Sequence, residues 1–470
     1  MLLFVFLTIV AIIFKSFGNM KIAKLIPFLA ILVFIPHVLF EGIRWQLYPI
    51  YIIIVFQFLM TILFRVGLLK KRRLENDKKL IRMSLPIVIS GFLLTVLFSY
   101  AFPVYKIPTP SGPHEIGTIS FDLIDDSREA IYSEDITDNR KIKLQVWYPA
   151  QNVGSYEQVP WLQDGKIVAE GVSKLMGFPD FVLSHTSLVK SNAYLNAPIS
   201  NEKEQYPVII LSHGWTGFRN IHTDVAELLA SNGFVVVAID HTYGSAVTAF
   251  NDGEVAYVND EALPDREETP NFLTYANTLV KTFAGDIQAT LDQLEMMNTG
   301  QNSSPLKGKL DLANIGVIGH STGGGAAVAT ALHDKRIKAL IGLDAWVEPI
   351  EEQELDSGLQ IPSLFLRSHE WEQGYNNEHL YLLLGSSMAP ELYQINNTGH
   401  QDFSMIYMYS PLSKYFNITG KLDGREGASI QHDFILTFFE KNIYGQVTSK
   451  IADVAKQYED VQIITSYRNE

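Results

Sequence analysis

Past residue 205 the chain is punctuated by short, unbroken apolar runs, and these restrict its fold more than any other feature. Val208–Leu211 closes on Ser-His-Gly and Phe234–Ile239 on Asp240 and His241; Ile315–Ile318, Ala339–Leu343 and Ser363–Leu366 follow. A strand that is apolar at every position has no face to give to water, so it lies in a sheet covered on both sides. The stretches between, such as Asp224–Ser231, Phe272–Met297 and Gly324–Leu332, read as helices. Strand and helix in alternation build a mostly parallel sheet flanked by helices. Ligands meet such sheets at the carboxyl ends of the strands, so chemistry is expected just past each run. Lys141–Tyr148 (KIKLQVWY) alternates and predicts an edge strand. Asn251–Pro270 and Gly300–Lys309 are polar and read as surface loops or a partial lid.

The run Ile315–Ile318 opens directly onto Gly319-His320-Ser321-Thr322-Gly323, two more glycines and an Ala-rich helix. A serine on a tight strand-to-helix turn needs small neighbours, because the turn packs against the sheet. The helix N-terminus also places positive potential near an oxygen under attack. A phosphate loop would carry Lys after the glycines, and none is present. Ser321 is therefore the expected nucleophile of an α/β-hydrolase fold, in which base and acid follow in the order Ser, Asp/Glu, His.

Of the later histidines, His432 falls in an apolar helical stretch and His379 in a polar one. His369 follows a strand, at a place to line the pocket. His400 stands in Asn-Thr-Gly-His-Gln-Asp-Phe, a loop beyond a short strand at Glu391–Ile395, where a base must sit. Asp344 ends the run Ala339–Leu343 and is the expected acid; Asp240 precedes the serine, and Asp402 is too near His400 in sequence to reach its far nitrogen. An oxyanion hole takes one backbone N–H after the nucleophile and one from the loop after an earlier strand. Those are Thr322 and Trp215, with His213 bracing the turn. Trp346, His369 and Phe403 are expected on the pocket wall. Trp215, Trp346 and Phe403 should crowd it, which favours acetyl to butyryl esters over palmitoyl.

The first hundred residues are of another kind. Apolar runs at Leu2–Phe14, Leu25–Phe40, Leu47–Leu69 and Leu85–Phe102 predict about four membrane-crossing helices, near residues 2–17, 22–40, 47–69 and 85–103. A helix needs about 20 apolar residues to cross a bilayer. The basic cluster Lys70, Lys71, Arg72, Arg73, Lys78, Lys79 and Arg82 belongs in the cytoplasm by the positive-inside rule. Lys15, Lys21 and Lys24 then fall on the same side and the Glu41–Arg44 loop on the other. The expected layout is a multi-pass transmembrane region, 1–105, in the cell membrane, and an extracytoplasmic hydrolase domain, 106–470. Residues 1–110 hold 13 Lys and Arg against 3 Asp and Glu, so in a chain of net charge −14 the remainder carries −24. That acidic body argues against nucleic-acid partners. The chain has no cysteine, which removes disulfides, thiolate metal sites and a cysteine nucleophile together. No metal or organic cofactor is expected.

At Ile107–Gly117, Leu144–Pro149, Ser212-His213-Gly214 with Phe218-Arg219, Gly319–Gly324, Leu343-Asp344-Ala345-Trp346 and His400-Gln401-Asp402-Phe403 the chain resembles the group VII phospholipases A2, the plasma-type platelet-activating-factor acetylhydrolases. The resemblance implies a triad of Ser321, Asp344 and His400, oxyanion amides on Trp215 and Thr322, and calcium-independent cleavage of short or oxidised acyl chains from phospholipids. That family usually has Leu where Trp215 stands and Phe where Thr322 stands. Bacterial polyester and triglyceride esterases carry related serine motifs, a competing substrate class. Two other functions compete with ester hydrolysis: acyl transfer by the same triad, and a membrane sensor with a hydrolase-like ectodomain.

Overall fold

A computed structural model describes residues 26–66, 74–135, 137–446 and 450–467. The run Leu2–Phe14, the lysines at 15, 21 and 24, and the basic residues 70–73 lie outside the described residues. The chain divides into two compact units. One takes in the chain up to Val104 together with Phe181–Leu188; the other holds Tyr105–Asp180 and Val189 onward.

In the first unit, α1 (Ile26–Glu41), α2 (Tyr48–Arg65) and α3 (Leu74–Ala101) are the described helices. Pro49 starts α2 at a position where a missing N–H costs nothing. Among the described residues one helix, Trp45–Leu63, is long and apolar enough to cross a membrane; Pro27–Glu41 and Pro86–Ala101 are apolar but shorter. A bundle of four spans is thus not what these residues display. α3 also begins earlier than the apolar run, taking Lys78, Lys79 and Arg82 into helix where a loop was expected. Leu, Glu and Lys are strong helix formers, so the pattern of charge did not end the helix. Trp45 packs on Phe98 and Phe102 and donates its indole N–H to Val182 O at 2.9 Å.

The second unit is built on one large sheet. Its strands are β1 (Glu115–Glu129), β2 (Asn139–Ala150), β3 (Gln158–Pro160), β4 (Lys190–Leu195), β5 (Tyr206–Ser212), β6 (Val235–Asp240), β9 (Leu310–His320), β10 (Ile337–Leu343), β11 (Ser363–Ser368), β12 (Pro390–Ile395) and β13 (Val461–Ile463). The order across the sheet is β13-β12-β11-β10-β9-β5-β6-β2-β1-β4-β3. The central block from β12 to β6 is parallel, and β2 and β13 flank it antiparallel. A separate hairpin pairs β7 (Val247–Ala249) with β8 (Val255–Tyr257).

Alternate residues of each central strand feed two cores. Val208, Ile210, Val237 and Leu340 face one, against α6 (Phe272–Thr299) and α7 (Thr322–His333). Ile209, Leu211, Val236 and Ile341 face the other, against α5 (Thr223–Ser231) and α9 (Gly424–Asn442). This is why the runs are apolar throughout. β2 is not the edge strand its alternation predicts, for it lies between β1 and β6. Its polar positions are buried but satisfied: Lys143 donates to Ala249 O and Gln145 to Thr118 Oγ1. Two more helices matter below, α4 (Gly165–Leu175) and α8 (Tyr375–Ser386).

Candidate active site

Ser321 stands between the last residue of β9 and the first of α7, with φ 55° and ψ −122°. A side chain makes that backbone strained, and it persists only where the surroundings impose it. Here the end of β10 does so. Ser321 N–H donates to Leu343 O at 3.0 Å, and Ser321 O accepts the N–H of Trp346 at 2.9 Å. A Cβ added to Gly323 would lie 2.3 Å from His213 O, so the turn can carry nothing larger there.

Asp344 follows β10 directly and is buried. One carboxylate oxygen accepts His400 Nδ1–H at 3.0 Å, and the other accepts the N–H of Ser368 at 2.6 Å. A neutral imidazole that donates from Nδ1 keeps its lone pair on Nε2. His400 opens a short 3-10 turn after β12. Asp402 braces that turn, since its Oδ2 accepts the N–H groups of Gly399 and Gly420, both at 2.7 Å. Burial raises the Asp402 carboxyl above its usual range. His320 donates from Nε2 to His400 O at 3.1 Å. Burial holds the His320 imidazole well below its ordinary range, which keeps it neutral. On another side Trp371 stacks on the His400 ring.

Ser321 and His400 line one cavity of about 250 Å³. Val172, Leu175 and Met176 at the end of α4 form part of its wall, as do Trp215, Tyr409 and Ile418. The insertions 251–270 and 300–309 do not line it. Thr322 opens α7, where N–H groups have no partner within the helix. The N–H of Trp215 has no backbone partner among the described residues.

Trp346, His369 and Phe403 were expected on the pocket wall, and none of them is there. The Trp346 backbone touches Ser321, but its indole packs on Phe272 and donates to Glu348. His369 projects to solvent beside Glu372. Phe403 is buried in the second core. Nearness in sequence to Asp344 and His400 located the backbones and not the side chains.

Sequence reasoning also missed a second Ser-His-Asp constellation beneath the loop 212–217. His241 donates from Nδ1 to Asp286 at 2.9 Å, and Ser212 Oγ bonds His241 Nε2 at 2.8 Å. All three residues are fully buried. Arg140 bonds both Asp286 oxygens, at 3.0 and 2.6 Å, and Arg128 adds another contact at 2.8 Å. Those cations hold the Asp286 carboxyl well below the usual range against the cost of burial. His213 completes the brace, bonding Gly214 O and Ser245 Oγ. The available signal was Asp286 itself, a lone carboxylate on the apolar face of α6 between Phe283 and Ile287.

A mostly parallel sheet that presents a serine on a strained strand-to-helix turn defines the α/β-hydrolase class. The ferulic acid esterase from Streptomyces cinnamoneus shares the fold, with a TM-score of 0.61 at 21% identity over 77% of this chain and 99% of that one. Within the class, the chain belongs to the family "Platelet-activating factor acetylhydrolase, isoform II", whose sequence model matches residues 100–462. It is accordingly a carboxylic ester hydrolase. It is similar to the platelet-activating factor acetylhydrolases of Gallus gallus, 24% identical over 72% of this chain and 84% of that one, and of Bos taurus, 26% identical over 72% and 77%. Cutinase est1 of Thermobifida alba is 28% identical over 31% of this chain and 37% of its own.

Proposed function

We propose that the chain removes short acyl groups from phospholipids of the platelet-activating-factor type through an acyl-Ser321 intermediate. The observation that carries this reading is the His400–Asp344 hydrogen bond on the same cavity as Ser321. His400 Nε2 takes the Ser321 proton as Oγ attacks the ester carbonyl carbon. Asp344 stabilises the imidazolium and fixes its tautomer. The N–H groups of Trp215 and Thr322 receive the charge that develops on the carbonyl oxygen. His400 returns the proton to the departing alcohol, and water then releases the acid by the same route.

The cavity supports a small acyl group. Pockets that enclose drug-sized ligands run to about 300–1,000 Å³, and this one has about 250 Å³. Relatives are named for acetyl ester cleavage, the Arthroderma benhamiae protein as a probable 1-alkyl-2-acetylglycerophosphocholine esterase. The helical unit is proposed to hold the catalytic unit at the outer face of the cell membrane. Two features support this: the apolar helix Trp45–Leu63, and the exposure of Leu32, Leu39, Phe40, Ile52 and Phe56 in the same unit. Surfaces so apolar are matched to lipid or protein and not to water.

Ser321→Ala tests the mechanism. Loss of a triad serine costs on the order of 10⁴–10⁶ in turnover, and an organophosphate should label the native chain at Ser321 and the variant nowhere. A variant keeping a tenth of the native rate on p-nitrophenyl acetate would end the proposal. Protease added outside intact cells should remove the catalytic unit, and protection there would overturn the membrane placement.

A further inference from the structure

Three residues at the end of β11 and just beyond it, Ser368, Glu370 and Trp371, touch the acid or the base of the proposed triad. Ser368 gives its N–H to Asp344 Oδ1 at 2.6 Å. Glu370 accepts the backbone N–H of His400 at 2.7 Å. The Trp371 indole lies flat on the His400 imidazole, ring centres 4.4 Å apart and planes 3° from parallel. Trp371 does not line the cavity, nor does it belong to either core of the catalytic unit. Its conspicuous contact is the ring of His400.

The segment is also held from below. Trp371 N–H reaches Ser368 Oγ at 3.2 Å, and Asn377 Nδ2 donates to Trp371 O at 2.9 Å. Asn377 is in turn fixed by the buried Arg367 at 2.8 Å. A half-buried indole on a six-residue connection between β11 and α8, its backbone held by these bonds and its ring outside both cores, has no packing reason to lie there. It does have a reason in the chemistry of the ring beneath it.

We infer that Trp371 is a positioning residue for the hydrolysis, acting through His400. The inference rests on the reading of His400 as the general base. Two effects follow from the stack. A flat surface on one face restricts rotation of the imidazole about its bond to Cβ, so Nδ1 stays on Asp344. When Ser321 gives up its proton, the imidazole becomes a cation lying over the negative face of an aromatic ring, an arrangement that favours the charged form. The indole therefore helps most when the imidazolium exists, in the transition state, and that raises kcat without changing substrate binding.

The test uses the full chain, p-nitrophenyl acetate, and four variants: Trp371→Leu, Trp371→Phe, His400→Ala and the Trp371→Leu/His400→Ala pair. Trp371→Leu should lose kcat by about five- to thirty-fold, the range a partly desolvated cation–aromatic contact supplies, with KM within twofold. Trp371→Phe keeps a flat ring and should recover most of the loss. In the pair, removing Trp371 should add nothing to the His400→Ala defect, because residues that act as a unit are not additive. A purely structural tryptophan would lower the residual rate of the pair as well, and that result overturns the inference. So does a rise in KM at unchanged kcat, or equal losses in Leu and Phe. Should His400→Ala keep the native rate, the general-base reading falls and takes this one with it. A His400-dependent enzyme indifferent to Trp371→Leu would remove this inference alone.

Discussion

Gly214→Ala isolates the contact between the proposed oxyanion loop and the nucleophile. The φ of Gly214 is not positive, so alanine is allowed by the backbone and only space is at issue. A Cβ built there meets Ser321 Cβ at 2.8 Å, with His320 Nδ1 and His320 O at 3.3 Å. Carbon atoms rest at about 3.5–4.0 Å, so the pair must part by roughly 1 Å. Neither side yields freely: Ser321 is clamped by the end of β10, and Gly214 O is bonded to the buried His213 ring. Overpacking of this size costs about 1–3 kcal/mol of stability. A shift of about 1 Å in catalytic geometry costs on the order of 10²-fold in rate. The loss should fall on kcat for p-nitrophenyl acetate, with a modest drop in thermal midpoint and slower organophosphate labelling. A folded Gly214→Ala variant with kcat within threefold of native would refute the placement of the Trp215 amide as an oxyanion donor.

Three further outcomes follow from buried charge and from cavity size. Asp286→Asn leaves the buried Arg140 without its partner, so denaturant unfolding should show a loss of about 3–5 kcal/mol. Glu227 is buried among Ser191 and Asn192, and burial raises its carboxyl from 4.5 to about 7. The folded state then binds the proton more tightly than the unfolded state, so stability falls as pH rises from about 4.5 to 7 and levels off above. The linked change is about 3 kcal/mol, and Glu227→Gln should remove that slope from a urea-denaturation series across pH. With esters of rising length, kcat/KM should peak between acetyl and butyryl and drop by palmitoyl; a maximum at long chains would mean an open tunnel in place of a cavity of about 250 Å³.

The central parallel block was legible because burial on both faces forces unbroken apolar runs, and the elbow was legible because steric crowding demands glycine around Ser321. Asp344 and His400, picked out by chain order and strand ends, meet at 3.0 Å. Part of what stayed hidden comes from polar residues whose partners are remote in sequence. β2 looked like an edge because Lys143 and Gln145 seemed to want water, yet Ala249 and Thr118 supply their bonds. The pocket wall was misassigned for a different reason. Besides Trp215 and Phe218, its apolar residues come from α4 and from Ile221, Ile406, Tyr409 and Ile418, which no motif marks. The helical unit showed the limit of hydropathy, since α3 runs through a charged stretch that pattern alone would leave as loop.

The buried Ser212–His241–Asp286 chain and the proposed triad of Ser321, His400 and Asp344 lie in one domain; in each a histidine Nδ1 meets a carboxylate, and that contact does not tell them apart. The charge around the carboxylate does. Asp286 is already neutralised by Arg140 and Arg128, so little of its charge is left to favour a proton on His241. Burial instead lowers the His241 imidazole from its ordinary range. A neutral His241 is a good fixed acceptor for Ser212 and a poor base, and its ring is fully buried. Asp344, among the described residues, has no Lys or Arg partner; it takes one neutral backbone N–H and His400. In the proposed mechanism this carboxylate faces His400 as the ring takes up the Ser321 proton. The Ser212 constellation braces the loop that carries Gly214 and Trp215, whereas Asp344 bonds His400 and His400 opens onto the cavity beside Ser321.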